Sequence, residues 1–301
     1  MRYAFLFVIF LGSTAMAQLV PTPTPTPRPG SRSANVSPIV RDSASFDRMQ
    51  SIEAMTSREQ AANHPLLHGK TSIYRKPGKE EIRVLAVAEP LATRYAKFLA
   101  SSNTGIIKLN AESTCVTDAD VLVASEKCVN FQMPGGGAAY SFRTQGYRLP
   151  RLADIILLEG IFRTGGVFQQ VIFADIGDVP IEEVALHTKG MSYLVTSVPV
   201  RDSDEFMRFD GELAQGIAAN GFTYRKWNPS KENSTFALRS IAFRGKFART
   251  IDGLEYNELD FDKRRDVIVA FRVIDKDAAG NLTIVWKTLK DVEAPKLKMK
   301  Q

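Results

Sequence analysis

Along this chain the apolar positions form short runs whose spacing changes repeatedly, and those changes mark out the elements. From position 105 onward the runs are brief, rich in β-branched and aromatic residues, and separated by Gly and Pro. The pattern predicts strands at Gly105–Leu109, Val121–Ala124, Cys128–Gln132, Ala138–Phe142, Leu152–Leu158, Val167–Ala174, Glu183–His187 and Met191–Pro199. Pro134-Gly135-Gly136-Gly137 and Thr164-Gly165-Gly166 punctuate them as turns. Four more strands follow at Phe236–Phe243, Leu254–Phe261, Asp266–Ile274 and Leu282–Leu289. Val267–Ile274 is apolar on both faces except for Arg272, which predicts a central strand, and Asp275–Asn281 is the loop of a long hairpin.

Helical spacing marks three places in the globular part, and Phe46, Met49, Ile52 and Met55 have the spacing of a short helix before it. Lys79–Val87 and Pro90–Ser101 precede the strands, the second with Pro90 in its first turn and Leu91, Tyr95, Phe98 and Leu99 on one stripe. The third starts at Asp202, which caps an acidic first turn with Glu205 at capping-box spacing. Phe206, Phe209, Leu213 and Ile217 lie on one face of it, and Asn220-Gly221 is its predicted end. The fold class is α+β: mostly antiparallel β-sheet with a few short helices, preceded by a disordered tether.

That tether follows a different kind of segment. Arg2, the apolar stretch Tyr3–Leu11 and the small-x-small triplet Ala15-Met16-Ala17 have the order of a secretory signal. The stretch falls short of the roughly 20 apolar residues a spanning helix needs. Pro21 to Pro29 then alternates proline with threonine and arginine, which imposes an extended conformation and offers no core. The domain reading is a signal peptide at 1–17, a Pro/Thr/Ser-rich tether at 18–63, and an α+β domain at 64–295. Within that domain 230–295 is a C-terminal antiparallel sheet that would form a second lobe.

Composition narrows the function classes only a little. Apolar content of 44% and charged content of 24% are those of an ordinary globular core. Removing Arg2 from 39 basic residues against 33 acidic ones leaves an excess of +5, spread along the chain. Nucleic acid is not implied as a partner. Cys115 and Cys128 are the two cysteines. In an oxidising compartment such a pair forms a disulfide, and closing a loop of this size contributes about 3 kcal/mol on the chain-entropy model.

Four groups of residues invite a chemical reading. His64 and His68 have the i, i+4 spacing of a helical metal pair, but Pro65 displaces the first and no Glu lies between them. Gly69-Lys70-Thr71 resembles the tail of a phosphate loop whose first Gly is replaced by His64. The turn at Asp175 and Asp178 is of an ordinary Asp/Gly kind. Glu258, Asp260 and Asp262 alternate, and on a strand they would share one face about 7 Å apart. So placed they would bind calcium or act as an acid/base pair. Arg239, Arg244, Lys246, Arg249 and Lys263-Arg264-Arg265 stand ready to neutralise them instead. Asn35, Asn233 and Asn281 match the glycosylation acceptor pattern, and Lys296-Leu297-Lys298-Met299-Lys300 reads as a solvated tail.

The stretch Leu238–Lys246, followed by Tyr256–Arg264, resembles exported bacterial proteins of an uncharacterised family. The resemblance implies a coherent domain and no particular activity. The expected protein is therefore secreted or periplasmic, non-catalytic and without a cofactor. It would bind or scaffold envelope proteins or polysaccharide, with no transmembrane segment once the signal is removed. The alternative is a secreted hydrolase using Glu258, Asp260 or Asp262. Acids lining an open cleft would favour the hydrolase; acids capped by arginine would remove it.

Overall fold

The apolar run at Val267 becomes β13 (Arg265–Lys276), and it sits where such a run must, inside a sheet. Its partners are β14 (Leu282–Glu293) on one side and β10 (Thr235–Ala242) on the other. β1 (Thr104–Leu109) and β6 (Gln169–Gly177) complete a five-stranded antiparallel sheet of order β1-β14-β13-β10-β6. The structure is a computed structural model that describes residues 79–111, 115, 136–251 and 254–299, all within the unit Arg48–Gln301. The segments read as signal and tether, the strands predicted at 121–124 and 128–132, and His64, His68, Cys128 and Asn35 lie outside the described residues.

A second antiparallel sheet lies against the first. It consists of β2 (Ala139–Ser141), β3 (Gly146–Tyr147), β4 (Ile155–Leu158), β5 (Ile161–Arg163) and β9 (Trp227–Pro229), in the order β3-β2-β4-β5-β9. The apolar core between the sheets is strongly aromatic. Phe271 has ring centroids of Phe142, Phe162, Phe173 and Phe236 between 5.1 and 5.7 Å away. Each such pair contributes about 0.5–1.5 kcal/mol beyond its buried area. The strands at 230–295 do not stand apart as a lobe, because β1 and β6 are hydrogen-bonded into the same sheet.

The opposite face of the first sheet is covered by helices and turns. α1 (Lys79–Val84), α2 (Glu89–Arg94) and α3 (Ala96–Leu99) replace the two predicted helices, with a break at Tyr95. The predicted stripe holds: Tyr95 is buried, and Leu91, Phe98 and Leu99 pack on the sheet beside Ile172, Ala270 and Val285. α5 (Ser203–Gln215) starts at Asp202, whose carboxylate accepts from the backbone N–H groups of Asp204 and Glu205. Glu205 reaches back to the Arg201 N–H at 2.8 Å, close to the capping-box arrangement.

Several predicted elements differ. Glu183–His187 and Met191–Pro199 are not strands. Ile181 and Val184, three apart, are both buried and close a 3-10 turn at Ile181–Glu183. Met191 and Leu194, also three apart, are fully buried and place α4 (Ser192–Thr196) on the sheet. Arg239 holds that short helix by donating to the carbonyls of Leu194 (2.8 Å) and Ser197 (2.6 Å) at its C-terminal end. Its charge is in turn matched by a bidentate pair with buried Asp266.

α5 stops at Gln215, earlier than predicted, because Gly216 takes φ +99°. Asn220-Gly221 is not the helix end but the turn between β7 (Ile217–Ala219) and β8 (Phe222–Tyr224). Both turn residues have positive φ, 54° and 82°, as a two-residue hairpin requires. The lysine-rich end is not a solvated tail up to Met299. Ala294 and Leu297 are buried, Leu297 packing with Val200, Ile241 and Phe243. The segment is strapped down through Arg244 N–H to Pro295 O, Leu297 N–H to Arg244 O, and Lys298 N–H to Arg201 O.

Candidate functional site

The three candidate carboxylates do not share a strand face. β12 (Leu254–Asn257), paired with β11 (Ala248–Ile251), ends at Asn257, and Glu258–Phe261 is a 3-10 turn. Asn257 causes the break: its side-chain oxygen accepts from the N–H groups of Phe247 and Leu259, and it caps the turn. Once the alternation is lost the acids separate. Asp260 is exposed and accepts from the Asn257 amide at 2.7 Å. Glu258 is fully buried, with Arg151 Nη2 at 2.9 Å and Arg249 Nε at 3.8 Å. The Asp262 carboxylate is also shut off from solvent, between Arg143 and Arg264.

Asp262 belongs to a chain of four charges between the sheets. Arg143 Nε bonds Asp154 Oδ1 at 2.7 Å, Arg143 Nη1 bonds Asp262, and Arg264 Nη1 bonds the same Asp262 oxygen at 2.8 Å. Two guanidiniums face two carboxylates, so the chain is neutral. Its neighbours come from both sheets. The inward row Phe236, Leu238 of β10 continues as Ser240, and the row Phe173, Val171 of β6 continues as Gln169. Ser240 Oγ (2.6 Å), Gln169 Nε2 (2.6 Å), Ser141 Oγ (3.0 Å) and the Arg143 N–H (3.2 Å) all donate to Asp154. At this end of the sandwich the core is therefore polar and closed.

The electrostatics follow from that closure. Burial acts to pull the proton from Arg143, and the carboxylates of Asp154 and Asp262 more than reverse it, leaving the guanidinium above its ordinary value. Arg264 has burial as its largest influence and Asp262 as only partial compensation, so it is pushed down to about 10. Both remain cations at neutral pH. Arg264 is further tied to the carbonyls of Phe243, Val167 and Phe168. A general acid or base needs access to substrate; the side chains of Arg143, Asp154 and Asp262 are closed off from solvent.

Beside the chain a cavity of about 520 Å³ is lined by Asn103, Phe142, Arg143, Thr144, Lys263 and Thr288, among others. Arg143 is committed to Asp154, Asp262 and two backbone carbonyls, so Lys263 is the exposed cation of the wall. The lining suits hydrogen bonding to a small polar molecule, and it holds no carboxylate pair. The Asp175 turn is structural: Asp175 accepts from Gly177 N–H and Ser234 Oγ, and Asp178 pairs with Arg272. Asn281 donates to Asp277 within its own loop and accepts from the Ala111 N–H just beyond β1.

Among the described residues no group of three or more His, Cys, Asp or Glu side chains is placed to hold a metal ion. Among them, too, no helix is long and apolar enough to cross a membrane. Cys115 is buried. Arg143, Asp154 and Arg264 were missed by sequence pattern as a unit. The available signal was Asp154 itself, an acid inside the apolar run Leu152–Leu158, which a core accepts only when the charge is paired. No known protein family, curated protein or solved structure matches this chain.

Proposed function

We propose that this protein is exported and works in the cell envelope or outside the cell as a non-catalytic binding or scaffolding protein. The observation that supports it is the fate of the two buried candidate acids. Glu258 and Asp262 are neutralised by Arg151 and by Arg143 with Arg264, and they stabilise the fold instead of facing a substrate. Envelope proteins or polysaccharide are the partner classes. The signal at 1–17, the extended tether at 18–63 and a Cys115–Cys128 disulfide belong to the same reading.

The test is fractionation followed by intact-mass analysis and a pull-down. The expected species lies outside the cytosol, starts at Gln18, and weighs two hydrogens less than its reduced form. It captures the same envelope component from independent preparations. An intact Met1 on a cytosolic protein with two free thiols would overturn the reading.

A further inference from the structure

The second sheet turns its aromatic side to the core, and near its β5–β9 edge the other side is open to solvent. Cross-strand register there places Arg163 of β5 opposite Trp227 of β9, and Ile161 opposite Pro229 in the next row. Asn228 is turned inward, its amide donating to the Phe173 carbonyl, so its neighbours Trp227 and Pro229 point outward. Trp227 is 38% exposed, a large indole area to leave in water. Arg225 lies over that indole, its guanidinium carbon 5.1 Å from the ring centroid.

Arg225 is held in this position. A Cβ on Gly216 would lie 3.1 Å from Arg225 Nε, so the arginine stem rests on bare backbone where α5 ends. Its Nε is buried without a hydrogen-bond partner among the described residues. The next residue, Lys226, is neutralised by Asp210 at 2.7 Å on the helical side. Neither Arg163 nor Arg225 has a carboxylate at ion-pair distance among the described residues. Among the described residues the buried or half-buried Arg143, Arg151, Arg239, Arg264 and Arg272 each face a carboxylate.

We infer that this face binds a carboxylate-bearing polysaccharide. Arg225 covers one face of the indole; the other stacks on the C–H face of a pyranose ring, and the guanidiniums of Arg163 and Arg225 take carboxylates of the sugar chain by charge-assisted hydrogen bonds. An acidic polypeptide would satisfy the two charges but would leave the planar ring without a matching partner. The inference rests on the polysaccharide side of the function proposed above and names its site.

Isothermal titration of the purified full chain with polygalacturonate tests it, with dextran as neutral glycan and polyglutamate as acidic polypeptide. Binding is expected for polygalacturonate alone. Trp227→Ala, Arg163→Gln and Arg225→Gln should each weaken it about tenfold, the scale of one hydrogen bond to a charged group or one desolvated cation–π contact. Arg208→Gln, on the exposed side of α5, should leave it unchanged. The Arg163 side chain makes no ion pair among the described residues, and its substitution leaves the backbone ladder to β4 and β9 in place, so its variant reports on binding even if Trp227→Ala loses stability. Absence of polygalacturonate binding, equal binding of polyglutamate, or full affinity in Trp227→Ala and Arg163→Gln would each overturn the assignment. The titration uses purified protein, so its failure removes this face as a sugar site and leaves the export reading to fractionation.

Discussion

Replacing Asp154 with Leu tests the central claim about the charge chain. The carboxylate accepts five hydrogen bonds and is fully buried. Without it Arg143 and Arg264 share the single Asp262, and one positive charge is stranded between the sheets. Removing one partner of a buried ion pair costs about 3–5 kcal/mol. For a domain of this size each kcal/mol lowers Tm by about 2–4 °C, so the variant should melt roughly 12 °C below wild type. Adding Arg143→Met removes the stranded charge and leaves Asp262 paired one-to-one with Arg264. The double variant should therefore be more stable than Asp154→Leu alone, by about 2 kcal/mol, because a hydrophobic replacement of a buried pair is often close to neutral. Urea unfolding of wild type, both singles and the double gives the coupling energy directly. Additive losses would refute the argument, since they would mean that the charges do not act as a closed set.

Two further outcomes follow from single sites. A Cβ at Gly105 would sit 2.5 Å from the Trp286 ring, so Gly105→Ala must displace that buried indole; the expected cost is about 1–3 kcal/mol, with a red-shifted tryptophan emission. Asp277 is held below the usual carboxylate range, first by the Asn281 amide and then by Lys108. A depressed folded value means its contribution is present above the unfolded value of about 4 and is lost as pH falls through the lower folded one. Asp277→Ala should thus lower stability to urea at pH 7, by about 1 kcal/mol for the lost turn, and the gap to wild type should narrow as pH falls below the usual carboxylate range.

The parts of the fold that were legible are those where one local signal dominates. β13 announced itself because Val267–Ile274 has no polar face, and the start of α5 because Asp202 and Glu205 satisfy its first N–H groups. The misread parts depend on partners far along the chain. Met191–Pro199 has a β-type composition, but Arg239, more than forty positions away, collects its carbonyls and makes it a helix. Asn220-Gly221 fits both a helix end and a hairpin turn, and Gly216 had already ended the helix. The acids at 258–262 were visible as residues, whereas their geometry was not. Asn257 interrupts the strand through its own side chain, and Arg143 arrives from 119 positions upstream.

The place of β14 in the sheet governs the order in which this protein can be completed. Among the described residues β1 ladders with β14 alone, and Asn103 and Thr288, which bond where that ladder begins, are 185 positions apart. A chain delivered amino-terminus first therefore holds β1 as an unsatisfied edge until Leu282–Glu293 emerges and inserts between β1 and β13. Assembly is slow by topology, because the first strand of this sheet cannot be paired before its last strand has been made.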